Sequence, residues 1–163
     1  MSSLHDASRD GDTERVRQLL DDGAPVDEKN KRGRTALMMA SEKGRTEVVQ
    51  LLLGKGAPVD EKDRNGRTAL MLASGQGHME VVKLLLDKGA LVNEKDEEGK
   101  TALMMASEKG HTEVVQLLLG KGAPVDEKNG RGNTALMIAS ANGHMEVVQL
   151  LLDKGAPVDE KDK

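Results

Sequence analysis

The sequence contains no cysteine, tryptophan, tyrosine or phenylalanine. Without cysteine there is no disulfide framework, no thiolate nucleophile and no cysteine-based metal site. No apolar run approaches the ~20 residues that a helix needs to cross a bilayer. The first residues, MSSLHDASRDGD, are typical of neither a signal peptide nor a lipidation signal. We therefore expect a soluble protein, intracellular by default, with no membrane association.

The 163 residues carry a formal net charge of −4, with charges of both signs interspersed along the chain. Phosphate binding requires a basic surface, so this balance argues against nucleic acid as a partner. Mixed charge is typical of a solvated surface that keeps a protein monomeric.

One pattern recurs every 33 residues. The positions in register include Gly33, Gly66, Gly99 and Gly132, and Thr35, Thr68, Thr101 and Thr134. A fixed period of this size predicts stacked supersecondary units. We divide the single domain, residues 1–163, into a first unit at 1–26, repeats at 27–59, 60–92, 93–125 and 126–158, and a tail at 159–163.

The first half of a unit predicts a turn and a short helix. In residues 60–92, the dipeptide Asn65-Gly66 marks a tight turn, because glycine accepts positive φ. Thr68 is placed to cap a helix that begins at Ala69. Gly75 and Gly77 then interrupt the apolar run.

The second half predicts a longer helix. It begins near Met79, with Glu80 in its first turn and Lys88 in its last, as the helix dipole favours. Gly89 is expected to provide a left-handed C-terminal cap. Apolar residues cover more than one face of this helix, so a unit needs neighbours on both sides. The unit is a turn or hairpin plus two antiparallel helices, and the chain is an all-α repeat solenoid.

The Asn65-Gly66 turn and the pattern GH-x-E-VV-x-LLL-x-x-G-A closely resemble the ankyrin repeat over nearly the whole chain. Ankyrin repeats share this period and this order of turn and helices. The usual Thr-Pro-Leu-His of the family reads TALM here, at 35–38, 68–71, 101–104 and 134–137. The change removes the preset φ of proline and replaces histidine by a flexible methionine. We expect less specific packing around the first helices.

The two ends of the array differ. In residues 1–26, Arg15 and Gln18 stand where Val48 and Leu51 stand in the next unit. Their spacing places them on one helix face, which is typical of an N-terminal capping repeat.

No such change occurs in residues 126–158. The positions expected to face a further repeat stay apolar, namely Leu136, Ala139, Val148, Leu151 and Leu152. This predicts an exposed apolar end that supports self-association by an isologous contact. The alternative is that the short tail folds back over it.

The repeats are unusually alike. Residues 35–62 and 101–128 differ only at Arg45 and His111, and the second and fourth repeats share HMEVV and LLLDKGA. Neighbouring natural repeats usually diverge at exposed positions. Together with the lack of aromatic residues, this makes an engineered ankyrin array our leading hypothesis.

No catalytic, cofactor or metal motif is present. His78, His111 and His144 recur once per unit, but stacked helices lie ~10 Å apart, whereas zinc needs nitrogens within ~2.1 Å of one ion. His-x-Glu occurs without the cysteines of zinc deaminases, and the H-E-x-x-H motif is absent. Gly-Lys-Gly at 54–56 and 120–122 lacks the spacing of a phosphate-binding loop. We expect neither an enzyme nor a cofactor.

The remaining class is protein binding. Ankyrin proteins commonly bind partners with hairpin tips and first helices, so the resemblance implies a site at Lys31, Arg32, Arg34, Arg64, Asn65, Arg67, Glu97, Glu98, Lys100, Arg131 and Asn133. Farther along each unit are Glu42, Lys43, Gly75, Gln76, Glu108, Lys109, Ala141 and Asn142. The tips change from basic to acidic along the array, which would steer a polar partner. However, interface hot spots favour Trp, Tyr and Arg, and only Arg is available. We therefore carry two hypotheses, a designed scaffold without a selected ligand and, as the alternative, a protein-binding adaptor.

Overall fold

The computed structural model describes residues 3–158, in which there are ten helices and no strand. The helices are α1 (Leu4–Asp10), α2 (Thr13–Asp21), α3 (Ala36–Glu42), α4 (Thr46–Gly54), α5 (Ala69–Gln76), α6 (Met79–Asp87), α7 (Ala102–Lys109), α8 (Thr112–Gly120), α9 (Ala135–Ala141) and α10 (Met145–Asp153). None of these helices is long and apolar enough to cross a membrane.

The helices form two stacked layers. Each odd-numbered helix packs against the next odd-numbered helix, each even-numbered helix against the next even-numbered one, and the two helices of a pair against each other. The core is aliphatic and continuous through all units. The predicted all-α solenoid, with a turn and two antiparallel helices per unit, is confirmed.

A threonine caps the N-terminus of the first helix of each full repeat, as predicted at Thr68. The Oγ1 atom of Thr68 accepts a hydrogen bond of 3.3 Å from the backbone N–H of Met71. The threonines of the other repeats cap in the same way, at Thr35, Thr101 and Thr134. These side chains are buried, so the cap also satisfies a backbone donor that water does not reach.

Two local predictions for residues 60–92 need correction. Gly75 lies inside α5 and does not interrupt it, because its backbone is helical and Gly77, with φ of 75°, ends the helix. Lys88 is the C-cap residue just beyond α6, whose last residue is Asp87.

The recurring histidines connect neighbouring units. The ring Nε2 of His78 hydrogen-bonds the carbonyl oxygen of Glu42 at 2.9 Å, and that of His111 bonds the carbonyl of Gly75 at 3.1 Å. His144 does the same with Glu108 at 2.9 Å. These residues lie at the N-caps of the second helices, as the near-cap interpretation placed them. Their contacts across the junction were not anticipated.

A row of serines follows the stacked first helices. The hydroxyls of Ser8, Ser41, Ser74 and Ser107 are buried, and within residues 3–158 none has a hydrogen-bond partner. Ser140, at the same position of the last repeat, is exposed. The next repeat therefore covers this position, and no helix of the described chain covers Ser140.

The prediction of an exposed apolar C-terminal end is wrong for three of the five residues named. Leu136 is 7% exposed and Leu151 0%, and Ala139 is also buried. The packing of α9 and α10 on each other, and on the helices of the preceding repeat, encloses these side chains without a further unit. Val148 is half-buried and Leu152 is 36% exposed. Self-association through Leu136 and Leu151 therefore has no surface to act on. The tail at 159–163, with its predicted fold-back, lies outside the described residues.

A groove between the hairpin tips and the first helices

Each hairpin tip is built on one side chain that accepts two backbone hydrogen bonds. Oδ1 of Asp63 accepts from the N–H groups of Asn65 and Arg67, both at 2.9 Å. The equivalent acceptors are Asn30, Asp96 and Asn129. Such side-chain turns hold the tip in one conformation.

Neighbouring tips are joined through their backbones. The N–H of Arg64 donates to the carbonyl of Arg32 at 3.1 Å, and the N–H of Glu97 to that of Asn65 at 3.0 Å. The N–H of Gly130 donates to the carbonyl of Glu98 at 2.8 Å in the same way. At Gly66, with φ of 76°, a Cβ would lie 3.0 Å from the backbone nitrogen of Glu97, so the close approach also requires glycine. The tips form one continuous row.

Lysines at the hairpin bases connect neighbouring units of this row. Nζ of Lys62 lies 2.8 Å from Glu94 and donates to the carbonyl of Lys95 at 3.2 Å. The same arrangement recurs one unit earlier, from Lys29 to Glu61 and Lys62, and one unit later, from Lys95 to Glu127 and Lys128. Each lysine spans a junction between units.

The tips and the first helices enclose a groove of about 460 Å³ between the second and third repeats, which we name the central groove. Its apolar floor is formed by the partly exposed Met105 and by Met71 and Leu72, which are 1% and 5% exposed. Its polar lining is Glu42, Asn65, Arg67, Gln76, Asp96, Glu97, Glu98, Lys100, Glu108 and Lys109, with Gly75 beside them. A second groove of about 380 Å³ continues toward the fourth repeat and shares Glu98, Lys100 and Glu108 with the first.

A cation from the tip meets a carboxylate from the first helix in two of the repeats. In the first repeat, Arg34 contacts Glu42 at 3.0 Å and also reaches Asp63 of the next unit at 3.3 Å. In the third repeat, Lys100 lies 3.9 Å from Glu108. In the second repeat the equivalent positions are Arg67 and Gly75, so the carboxylate is missing.

The structure brings together seven of the eleven residues expected to bind a partner. Asn65, Arg67, Glu97, Glu98 and Lys100 line the central groove, and Arg131 and Asn133 line the second groove with Glu98 and Lys100. Lys31, Arg32 and Arg64 are exposed on the tips beside the grooves. Arg34 differs, because its side chain is only 11% exposed and is held by Glu42 and Asp63.

The apolar floor was missed by sequence reasoning. Leu72, Met105 and Ile138 occupy one position of the repeat, and Met71 precedes it. The signal was present in the runs ALML, ALMM and ALMI, which leave the first turn of each of these helices without a polar residue. An apolar run that covers every side of a helix places apolar residues beyond the core interface.

Within residues 3–158, no three His, Cys, Asp or Glu side chains are grouped to hold a metal ion. The pKa of Arg9 is raised by a hydrogen bond to Asp10, by the charge of Asp10 and also by the charge of Asp6. Arginine is already protonated at physiological pH, so this change affects no reaction.

Comparison with known families agrees with the repeat architecture. A model of three copies of the ankyrin repeat matches residues 4–96 and again residues 91–162. Among curated protein sequences, none matches the chain.

Proposed function

Because the chain belongs to the ankyrin repeat family, we propose that it is a protein-binding module that holds a partner polypeptide in the central groove. The observation that carries this proposal is the floor of Met71, Leu72 and Met105 beneath a rim of charged tips. Concave sites with an apolar floor and a few polar groups are the usual form of binding sites. In this proposal, apolar side chains of the partner pack on the floor, and the charged tips fix the orientation of the partner.

The rigidity of the tips favours binding. Backbone hydrogen bonds join Arg64 to Arg32 and Glu97 to Asn65, and Lys62 spans the junction at the hairpin base. A surface that is already ordered loses little conformational entropy when it binds. The groove is therefore preformed in the free protein.

The charges of the tips give the groove a direction. Arg32 and Arg64 are exposed on the first two tips, and Glu97 and Glu98 on the third. Complementary charge mainly increases the association rate and fixes register. A partner segment with an uneven charge distribution would bind in one orientation.

The second candidate is a scaffold of designed origin without a selected partner. The near-identity of residues 35–62 and 101–128 favours it, as does the absence of the aromatic anchors that dominate many interfaces. Under this hypothesis the groove is a by-product of stacking uniform units.

Capture of partners from cell lysates separates the two candidates. The baits are the unchanged chain, Met105→Glu in the groove floor, and Met39→Glu as a matched control. Met39 is the same repeat position, is also partly buried, and lines neither groove. The lack of tryptophan and tyrosine requires that baits be matched by amino-acid analysis, and circular dichroism checks that each is folded.

A saturable protein partner retained by the chain and by Met39→Glu, but lost with Met105→Glu, would support the binding module. An equal weak background from all three baits would support the scaffold. A partner that survives Met105→Glu would refute the groove as the binding site.

A further inference from the structure

We propose that the central groove binds a carboxylate side chain of its partner at Arg67, in the place where the adjacent repeats supply their own glutamate. This rests on the proposed protein-binding function and adds the chemistry of the partner. The ligand is a polypeptide segment that carries Asp or Glu.

The repeat pattern identifies the missing group. Arg34 meets Glu42 at 3.0 Å, and Lys100 meets Glu108 at 3.9 Å, each pair being eight positions apart. In the second repeat the pair is Arg67 and Gly75. A Cβ at Gly75 would meet only the Cβ of Met105, at 3.7 Å, which is ordinary contact. The space of the absent glutamate is open and faces the groove.

Arg67 lacks the contact that this glutamate would provide. In the first repeat, Nη1 of Arg34 binds Glu42 at 3.0 Å, whereas its Nε contacts Asp63 at 3.3 Å. Within residues 3–158, the guanidinium of Arg67 makes no hydrogen bond, and its one ion pair joins Nε to Oδ2 of Asp63 at 3.8 Å. The side chain of Arg67 is 34% exposed, so its Nη groups are reachable from solvent. A guanidinium binds a carboxylate through two parallel hydrogen bonds.

The other acidic residues of the groove are largely engaged. Glu42 is paired with Arg34, and Glu108 lies near Lys100. Asp96 accepts hydrogen bonds from two backbone N–H groups of its own tip. Glu98 lies 3.9 Å from Lys100. Two further charged side chains of the lining, Glu97 and Lys109, have no side-chain hydrogen bond or ion pair among residues 3–158. The whole lining carries five carboxylates and three cations, so the open contact at Arg67, and not the net charge of the groove, favours a carboxylate.

The floor decides in favour of a polypeptide over a free anion. Met71, Leu72 and Met105 line the same groove of about 460 Å³ as Arg67, and Met105 is the one of the three that stays partly exposed. A carboxylate on an aliphatic stem, with neighbouring residues, covers the exposed part of Met105. Inorganic phosphate or acetate gains little from it.

A peptide-display library selected on the full chain tests the inference. Enriched peptides are synthesised with a fluorescent label, and dissociation constants are measured by anisotropy. Sensitivity to Met105→Glu, but not to Met39→Glu, identifies peptides bound in the groove. Replacing the critical Asp or Glu of such a peptide by Asn or Gln should weaken binding about tenfold or more, the effect of losing one charge-assisted pair.

Variants of the protein locate the effect. Arg67→Gln should weaken binding of the acidic peptides about tenfold and have little effect on their amide versions. Arg17→Gln is the control, because it makes the same charge change at an exposed residue of α2, outside the tips and both grooves. Gly75→Glu should also weaken binding about tenfold, since the new carboxylate occupies Arg67, whereas Gly75→Ala should stay within about twofold.

Each result decides one proposal or both. Groove-bound peptides without an essential carboxylate, or unaffected by Arg67→Gln, would overturn the inference and leave the binding module standing. Inorganic phosphate is tested as a competitor of the labelled peptides. If phosphate binds as tightly as the peptides, and its binding is lost with Arg67→Gln, the site is a simple anion site and the inference of a polypeptide carboxylate is overturned. Enriched peptides insensitive to Met105→Glu, or no enrichment at all, would overturn both proposals.

Discussion

Replacing Ser41 by alanine removes a hydroxyl that is buried between stacked helices without a hydrogen-bond partner in the described chain. Such a group loses its hydrogen bonds to water on folding and gains none in return. The alanine side chain fits the same space without the oxygen. We therefore expect Ser41→Ala to stabilise the protein, although the replaced side chain is fully buried.

The magnitude follows from two contributions. An unsatisfied buried polar group costs about 1–3 kcal/mol, and alanine is a better helix former than serine by roughly 0.5 kcal/mol. The void left by one oxygen offsets part of this gain. The expected net increase in the free energy of unfolding is about 1 kcal/mol.

Ser140→Ala is the matched control. Ser41 and Ser140 are each the second-last residue of a seven-residue helix that ends without a glycine cap. Ser140 is exposed, so its replacement contributes only the difference in helix propensity. The difference between the two variants therefore measures the cost of burying the hydroxyl.

Urea unfolding followed by far-ultraviolet circular dichroism measures this difference. With a slope of about 2 kcal/mol per molar urea, 1 kcal/mol moves the midpoint by about 0.5 M. The slope must stay constant, because units of a repeat array can unfold separately. If Ser41→Ala is no more stabilising than Ser140→Ala, the hydroxyl has a partner or fills space that the packing needs, and the reasoning is wrong.

Three further substitutions test the junctions and caps by the same unfolding assay. Gly110→Ala should reduce the free energy of unfolding by roughly 1–3 kcal/mol more than Gly143→Ala does. Both glycines have φ of 73°, but only at Gly110 would a Cβ meet a neighbour, Nδ1 of His144 at 2.5 Å. Equal losses of stability would refute the clash. Thr101→Ala should cost about 1 kcal/mol and Thr101→Ser much less, because serine keeps the capping oxygen; an equal loss for both would assign the effect to packing. Lys62→Met should change stability by less than about 1 kcal/mol, because its ion pair is exposed; a larger loss would show that the lysine holds the junction.

The period of the sequence was sufficient to predict the helix pairs, since each unit repeats the same caps and apolar positions. The prediction failed where burial depends on the partner of a helix. Leu136 and Leu151 were expected to need a further repeat, yet their own helix pair and the preceding repeat bury them. A one-dimensional pattern identifies apolar positions without showing which neighbour covers each one.

Seven of the eleven residues expected to bind a partner line the two grooves, but the contacts of the arginines could not be predicted from the sequence. Arg34 and Arg67 occupy the same repeat position, yet Arg34 contacts two carboxylates, at 3.0 and 3.3 Å, whereas Arg67 contacts one, at 3.8 Å. The difference comes from Gly75, eight positions away, where the other two pairs have Glu42 and Glu108. Local composition could not reveal it, because the contact depends on how the tip folds over the helix.

The near-identical junctions have a mechanical consequence. At each junction a histidine or arginine binds a carbonyl of the preceding unit. Between full repeats, a backbone hydrogen bond also joins the two tips, and a lysine at the hairpin base bonds a carbonyl of the next unit. When the chain is pulled from its ends, barriers of similar height resist at every junction, so units detach one at a time. Each detached unit of 33 residues extends to about 110 Å from a stacking distance of about 10 Å. The array behaves as an extensible tether that lengthens in even steps of about 100 Å.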